Sequence, residues 1–218
     1  MDFTAIILAA GSGSRVGFDY NKVLHEIKGK IILDYSIEFF QKYPSCKEIV
    51  LVCSDHDFNF VFDRYRSVAD HIIIGGETRQ NSVYKGLNKA MNDIVLVHDS
   101  ARPFINSACI DALCDDLESS KATTLAVPVT DTIVRKSGNR LTKTLDRNEL
   151  IALQTPQGFD RHLLLEVHRK AMKSKYDATD DTDLVRRFSD VMPSYVMGDY
   201  RSMKLTTKDD IALLEVIL

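Results

Sequence analysis

Leu8-Ala9-Ala10-Gly11-Ser12-Gly13-Ser14-Arg15, followed by Lys22, sets two cations beside a run of small residues directly after an apolar stretch. Small residues let backbone N–H groups approach an anion with no side chain in the way. Arg15 and Lys22 add charge that a sheet core would not tolerate. The guest that suits such a loop is a polyphosphate. A Walker loop needs Lys directly after its last glycine, and Phe18 follows Gly17, so that reading is excluded. Gly11, Gly13 and Gly17 miss the dinucleotide fingerprint by one position, although Asp34 stands at about the ~20-residue distance expected of a ribose-binding acid. The stretch from Arg15 to Lys30 shows no clean helix face, and two cations are unusual beside a pyrophosphate that a helix N-terminus already neutralises. A loop wrapping a nucleoside triphosphate and a plain glycine-rich turn with surface cations both stay open on this segment alone.

Other chemistry-bearing residues follow apolar runs in the same way. Gly75-Gly76 comes after His71-Ile72-Ile73-Ile74 and either lets the backbone approach a ligand or simply turns the chain into a helix. His98-Asp99-Ser100-Ala101-Arg102-Pro103 comes after Ile94-Val95-Leu96-Val97, and ligands of open α/β sheets bind outside the carboxyl ends of strands. Asp99 is thus placed to contact substrate hydroxyls and a metal-bound water. Arg102 either orients Asp99, meets a phosphate, or forms a buried ion pair that shapes the loop. In Thr179-Asp180-Asp181-Thr182-Asp183, a Thr followed by acids is what a helix N-terminus wants for cap and dipole, so Asp181 and Asp183 are expected to be helix charge. His25, His56, His71, His162 and His168 lack zinc-ligand spacing and are expected at the surface or in structural roles.

The elements that must position these residues alternate. The five runs Ala5–Leu8, Ile49–Val52, His71–Ile74, Ile94–Val97 and Leu125–Val129 are nearly continuously apolar, which predicts strands covered on both faces of a mostly parallel sheet. Between them lie helical spacings: Ile37 to Phe40 capped by Asp34, Val83-Leu87-Met91, and Ile110-Leu113-Leu117 opened by Ser107. Asp131–Arg135 and Leu141–Leu145 flank the turn Ser137-Gly138-Asn139, a β-hairpin arm that serves a partner subunit or forms a surface flap. Helices are expected over Arg161–Lys173, Thr179–Phe188 and Thr207–Leu218, the last opened by a capping-box pair, Thr207 and Asp210. With no repeat, linker or low-complexity tract, the reading is a single α/β domain over 1–218 with an arm at about 133–155.

The 218 residues are 44% hydrophobic and 27% charged with a net charge of −3, which excludes fibrous and disordered classes and argues against a chain that coats nucleic acid. The four cysteines include no C-x-x-C pair and are expected to be reduced thiols of a cytoplasmic protein. The run Ala5–Ala10 is too short for a signal core or a membrane span, so no membrane partner is expected.

The motifs also occur in a telling order. Leu8-Ala9-Ala10-Gly11-x-Gly13-x-Arg15 with Lys22 is followed by Gly75-Gly76-Glu77-Thr78-Arg79-Gln80-Asn81-Ser82-Val83 and Val97-His98-Asp99-Ser100-Ala101-Arg102-Pro103. Pro128-Val129-Thr130-Asp131-Thr132, Asp146-Arg147-Asn148, Gln154-Thr155-Pro156-Gln157, Ala178-Thr179-Asp180-Asp181 and Lys204-Leu205-Thr206-Thr207 come after them. Over essentially the whole chain this resembles the 2-C-methyl-D-erythritol 4-phosphate cytidylyltransferase family of the non-mevalonate isoprenoid pathway. Asn21 departs from it, since many relatives have Pro there.

The resemblance implies a Rossmann-like, mostly parallel twisted sheet flanked by helices, with the arm used for dimerisation. It implies attack of a phosphate monoester on the α-phosphorus of CTP with loss of pyrophosphate. The nucleophile's second pKa is about 6, so no general base is needed. Arg15 and Lys22 are then catalytic, stabilising the pentavalent phosphorus and the leaving group. CTP falls to Ala9, Ala10, Gly11, Ser12, Gly13, Gly76, Glu77, Ser82, Asp99, Ala101 and Lys204, with cytosine read by backbone groups of Ala9, Ala10, Gly76 and Glu77 and by the Ser82 hydroxyl. The polyol phosphate falls to Asp99, Arg102, Thr132, Arg147, Thr179, Asp180 and Lys204, with Thr132 and Arg147 coming from the neighbouring subunit of a homodimer. Mg²⁺ is expected on the triphosphate oxygens, with Asp99 the one candidate side chain. A ribitol 5-phosphate cytidylyltransferase is the nearest alternative, but Ala9-Ala10-Gly11 and Ser100-Ala101-Arg102-Pro103 point to the isoprenoid group. A non-catalytic nucleotide-binding module is disfavoured because Arg15, Lys22, Asp99 and Lys204 are all present. Nothing follows Leu218 that a fused cyclase would need, so one step is expected.

Overall fold

The computed structural model describes residues 1–11 and 20–217. The first half contains β1 (Phe3–Ala9), β2 (Glu26–Ile27), β3 (Lys30–Ile31), α1 (Ile32–Lys42), β4 (Cys46–Cys53), α2 (Phe58–Tyr65), β5 (His71–Ile74), α3 (Arg79–Leu87) and β6 (Ile94–Asp99). The second half contains α4 (Ser107–Leu117), β7 (Ala122–Pro128), β8 (Val134–Ser137), β9 (Arg140–Thr144), β10 (Ile151–Asp160), α5 (Arg161–Ser174), α6 (Asp181–Phe188), β11 (Ser194–Met197) and α7 (Lys208–Ile217).

Seven strands form one sheet in the order β11-β7-β10-β6-β1-β4-β5. All run the same way except β10, which is antiparallel to both of its neighbours. Alternate residues of each strand enter opposite cores. Ile7, Leu51 and Leu96 meet Leu33 and Phe40 of α1 and Ile110 and Leu113 of α4 on one face. Ile6, Val50 and Val97 meet Val83 of α3, Leu164 and Val167 of α5 and Leu184 of α6 on the other. Burial on both faces is why the runs read as continuous rather than alternating. From β1 the chain builds outward through β4 to β5, then returns to β6 on the other side of β1, with Leu8 opposite Asp99. The strand order therefore reverses between β1 and β6, and the carboxyl ends of those strands frame a crevice.

Several expectations are corrected. The segment 133–155 is not all arm: β8 and β9 form the hairpin, with Gly138 at φ 56° in its turn, while Ile151 already pairs with Pro128 in the main sheet. Pro156 disguises β10. The register with β7 breaks between Leu153 and Gln157, and Pro156, which has no N–H to give a ladder, falls in that break. Asp34 is the third residue of α1 rather than its cap, accepting from the backbone N–H of Ile31 at 3.0 Å. Asn106, not Ser107, caps α4 through the N–H of Ala108. Thr207 and Asp210 do form the reciprocal cap expected at α7.

His98 of β6 is fully buried, with Nε2 3.3 Å from Ser36 Oγ and Nδ1 3.2 Å from Thr155 Oγ1. Burial pushes its pKa down to about 3. An unfolded histidine takes its proton near pH 6.5, so the native state loses roughly 1.4 kcal/mol per pH unit as the pH falls from there towards 3. Urea unfolding followed between about pH 7 and 4.5 should show this decline, and His98→Gln should flatten it. A variant with the wild-type slope would contradict the assignment.

Candidate active site

A cavity of about 340 Å³ opens in the crevice, lined by Leu8–Gly11, Asn21–Val23, Gly76–Arg79, Ser82, Asp99, Ala101 and Lys204. It gathers Ala9, Ala10, Gly11, Lys22, Gly76, Glu77, Ser82, Asp99, Ala101 and Lys204 of the sequence-predicted set. Ser12, Gly13 and Arg15 lie outside the described residues. Arg102, Thr132, Arg147, Thr179 and Asp180 do not line the cavity.

Lys22 begins a short 3₁₀ turn, Lys22–Leu24, capped by Asn21. Asn21 is itself buried, and its Nδ2 donates to Ala9 O at 2.6 Å and to Asp57 Oδ2 at 3.0 Å, while its Oδ1 accepts from Val23 N. Proline at this position could make none of these side-chain bonds, so Asn21 is a built part of the loop. It ties the turn that carries Lys22 to the end of β1 and to the loop after β4. Lys22 crosses to the last segment of the chain, donating from Nζ to Leu205 O at 2.5 Å. Asn21→Ala strips buried Asp57 and Ala9 O of a donor and should lower stability by about 1–3 kcal/mol. Equilibrium denaturation measures this, and a change below about 0.5 kcal/mol, the range of a surface substitution, would contradict it.

The Gly75-Gly76 loop lies between β5 and α3. It turns β5 into α3, whose cap is Thr78, and it brings backbone to the cavity. A Cβ on Gly75 would lie 2.7 Å from Ser82 Oγ and 2.9 Å from Ala10 Cβ, and one on Gly76 would lie 2.4 Å from Asn81 Cβ. Ser82 accepts from Gly76 N and donates to Thr78 O, each at 3.0 Å. Its one proton is thereby committed, so the group it presents to a ligand is an acceptor oxygen.

Asp99 ends β6 at the centre of the site. Its N–H donates to Thr155 Oγ1 at 3.0 Å, Arg79 Nε donates to Oδ1 at 3.0 Å, and Lys204 Nζ donates to Oδ2 at 2.5 Å. Burial alone would raise its pKa, but Arg79 and Lys204 outweigh burial and hold the carboxyl well below the usual carboxylate range. It is ionised at neutral pH. Arg79 also reaches Asp181 Oδ2 from Nη1 at 2.7 Å, and Asp181 Oδ1 lies 3.0 Å from His168 Nε2.

This network adds to the reading of the acidic cluster. Asp181 and Asp183 stand in the first turn of α6 as the helix charge expected, but Asp181 is also 1% exposed and paired with Arg79. Asp180 rather than Thr179 caps α6, accepting from Asp183 N at 2.8 Å and Thr182 Oγ1 at 2.9 Å, while Thr179 is exposed. Arg79, which lines the cavity and pairs with Asp99, is absent from the sequence-predicted set, and a signal for it existed. A cation in the first turn of a helix opposes the macrodipole and so demands a carboxylate from elsewhere. Arg102 has no carboxylate partner among the described residues. It donates from Nη1 to Ser202 O at 2.7 Å and from Nη2 to Leu153 O at 3.3 Å, so it shapes the loop through carbonyls rather than through an ion pair. Thr132 and Arg147 are exposed beside the arm, and Arg147 Nη1 donates to Thr130 O at 3.3 Å.

A polar crevice of this make, at the strand-order reversal of a helix-flanked sheet, defines a nucleotide-handling α/β protein. The family model for IspD, 2-C-methyl-D-erythritol 4-phosphate cytidylyltransferase, matches residues 3–218. The chain is 38% identical over 223 residues to the 2-C-methyl-D-erythritol 4-phosphate cytidylyltransferase of Bacillus velezensis, covering 100% of this chain and 96% of that one. It is 39% identical over 228 residues to the enzyme of the same name from Geobacillus thermodenitrificans, covering 100% and 97%. Among solved structures, the Francisella tularensis 2-C-methyl-D-erythritol 4-phosphate cytidylyltransferase superposes with a TM-score of 0.85 at 30% identity, covering 100% of both chains. The 4-diphosphocytidyl-2C-methyl-D-erythritol synthase of Anaerococcus prevotii gives 0.85 at 29% identity, covering 99% and 97%. The chain belongs to the IspD family of 2-C-methyl-D-erythritol 4-phosphate cytidylyltransferases.

Proposed function

We propose that this chain transfers CMP from CTP to 2-C-methyl-D-erythritol 4-phosphate, giving 4-diphosphocytidyl-2-C-methyl-D-erythritol and pyrophosphate, a step of non-mevalonate isoprenoid biosynthesis. The observation that carries the reading is the single cavity that collects small-residue backbone, Lys22, Asp99 and Lys204 in a chain matched by the family from end to end. A phosphate oxygen of the polyol phosphate attacks the α-phosphorus, and the bond to the pyrophosphate oxygen breaks. An anion must approach a polyanion, so the work is charge neutralisation and alignment. Lys22 meets charge developing on the phosphorus and the leaving pyrophosphate, together with Arg15. The acceptor oxygen of Ser82 and the backbone at Gly76 and Glu77 suit the amino-bearing edge of cytosine. Asp99 takes ligand hydroxyls, and Lys204, now on Asp99, is the cation offered to the incoming phosphate.

Mg²⁺ fits this donor set. The ionised Asp99 would be its one protein carboxylate, reached once Lys204 leaves Oδ2, with phosphate oxygens as the other ligands. When bound, it neutralises triphosphate charge.

The second copy of a homodimer supplies Thr132 and Arg147 through the arm, whose strands β8 and β9 are exposed along almost their whole length. Among the described residues no helix is long and apolar enough to cross a membrane. Pyrophosphate release with CTP and Mg²⁺ tests the reading: turnover is expected with methylerythritol phosphate, and turnover of ribitol 5-phosphate alone would overturn it.

A further inference from the structure

We propose that Arg79, clamped by the buried pair Asp181 and His168, is a positioning residue that fixes the carboxylate of Asp99; this rests on the cytidylyltransferase reading. Asp99 has two cationic partners of different kinds. Lys204 holds it through one flexible ammonium. Arg79 holds it through Nε while its Nη1 is fixed on Asp181, so one planar guanidinium spans two carboxylates. The fork geometry transmits the position of α6 to the plane of the Asp99 carboxylate, and an ammonium at position 79 could reach only one of the two acids.

The far side of the clamp is rigid. Asp181 and His168 are buried, with 1% and 0% exposure, and the backbone N–H of Asp181 donates to Gln157 Oε1 at 3.3 Å. Gln157 and Thr155, whose hydroxyl takes the N–H of Asp99, both belong to β10. Backbone and carboxylate of Asp99 are thus oriented from the same strand, once directly and once through α6 and Arg79. A buried ion pair is a poor source of stability against apolar packing of the same volume. The Arg79–Asp181 pair instead holds Asp99 in place while leaving Lys204 exchangeable.

The test is a pair of double-mutant cycles, Asp99→Asn with Arg79→Lys and Asp99→Asn with Asp181→Asn. Each is read as kcat/KM for the polyol phosphate and as CTP affinity by calorimetry. Arg79→Lys and Asp181→Asn should each reduce kcat/KM at least about tenfold, the scale of a displaced catalytic group. In the Asp99→Asn background either should cost less than about twofold more, because the route through Asp99 is already lost. Losses that multiply in both cycles would mean independent action and overturn the clamp. Arg79→Lys keeps the charge and carries the cycle should Asp181→Asn fold poorly, which circular dichroism shows. Wild-type protein that binds CTP without turning over any polyol phosphate defeats the cytidylyltransferase reading, and the clamp is then decided by the CTP cycle alone.

Discussion

Lys22→Met lowers kcat for pyrophosphate release by about 10²–10³ while CTP binding changes far less, the pattern expected when one preorganised electrostatic donor is removed. Methionine keeps most of the apolar stem that Lys22 buries in the cavity wall and deletes only the charged head. The ammonium is already aligned before any ligand arrives. Its turn is capped by Asn21, and its head is held at Leu205 O. A donor that need not reorganise helps most where charge develops late, on the departing pyrophosphate. If other donors hold the ground-state triphosphate, as the proposed function requires, KM for CTP should move by only a few fold. Steady-state kinetics at saturating CTP decides the matter, with thermal melting as control for the fold. A kcat within about threefold of wild type would remove Lys22 from the chemistry.

What the amino-acid order revealed, and what it hid, follows from the range of each interaction. β1, β4, β5 and β6 were legible because both faces of a parallel strand are apolar, a property of each run by itself. Part of the cavity was legible as well. Ala9 and Asp99 end strands and Gly76 lies in the loop after one, where topology sends ligands, whereas Ser82, inside α3, came only with the family resemblance. β10 was hidden because Pro156 and three polar neighbours mark a loop in isolation, and only the break in its register with β7 makes room for them. Asp181 was hidden more deeply. Acids after a helix cap satisfy a local rule, so nothing nearby called for Arg79, 102 positions away in the chain. Asn21 showed the reverse: a departure from the family pattern proved to be a set of side-chain bonds. The small overall charge also concealed a local arrangement, in which Asp99 and Asp181 hold Arg79 and Lys204 ready at the cavity.

Arg147→Ala should reduce kcat/KM for the polyol phosphate about a hundredfold, as loss of one phosphate-positioning cation does. The melting temperature should barely move. Arg147 is exposed and, among the described residues, its side chain hydrogen-bonds Thr130 O at 3.3 Å, and such surface positions usually change stability by under about 0.5 kcal/mol. A large kinetic effect from a residue outside its own chain's cavity is what is expected if it completes the cavity of a neighbouring chain. Mixing Lys22→Met with Arg147→Ala subunits makes this quantitative. In a two-fold dimer, the heterodimer has one site with both defects and one with neither. Random pairing of equal amounts makes half of the dimers mixed, so about one quarter of wild-type activity should return. Co-expression with two affinity tags isolates the heterodimer, which should show about half of wild-type activity by the same symmetry. If the purified heterodimer is as inactive as its parents, the arm does not complete the neighbouring site, and Arg147 must act within its own chain.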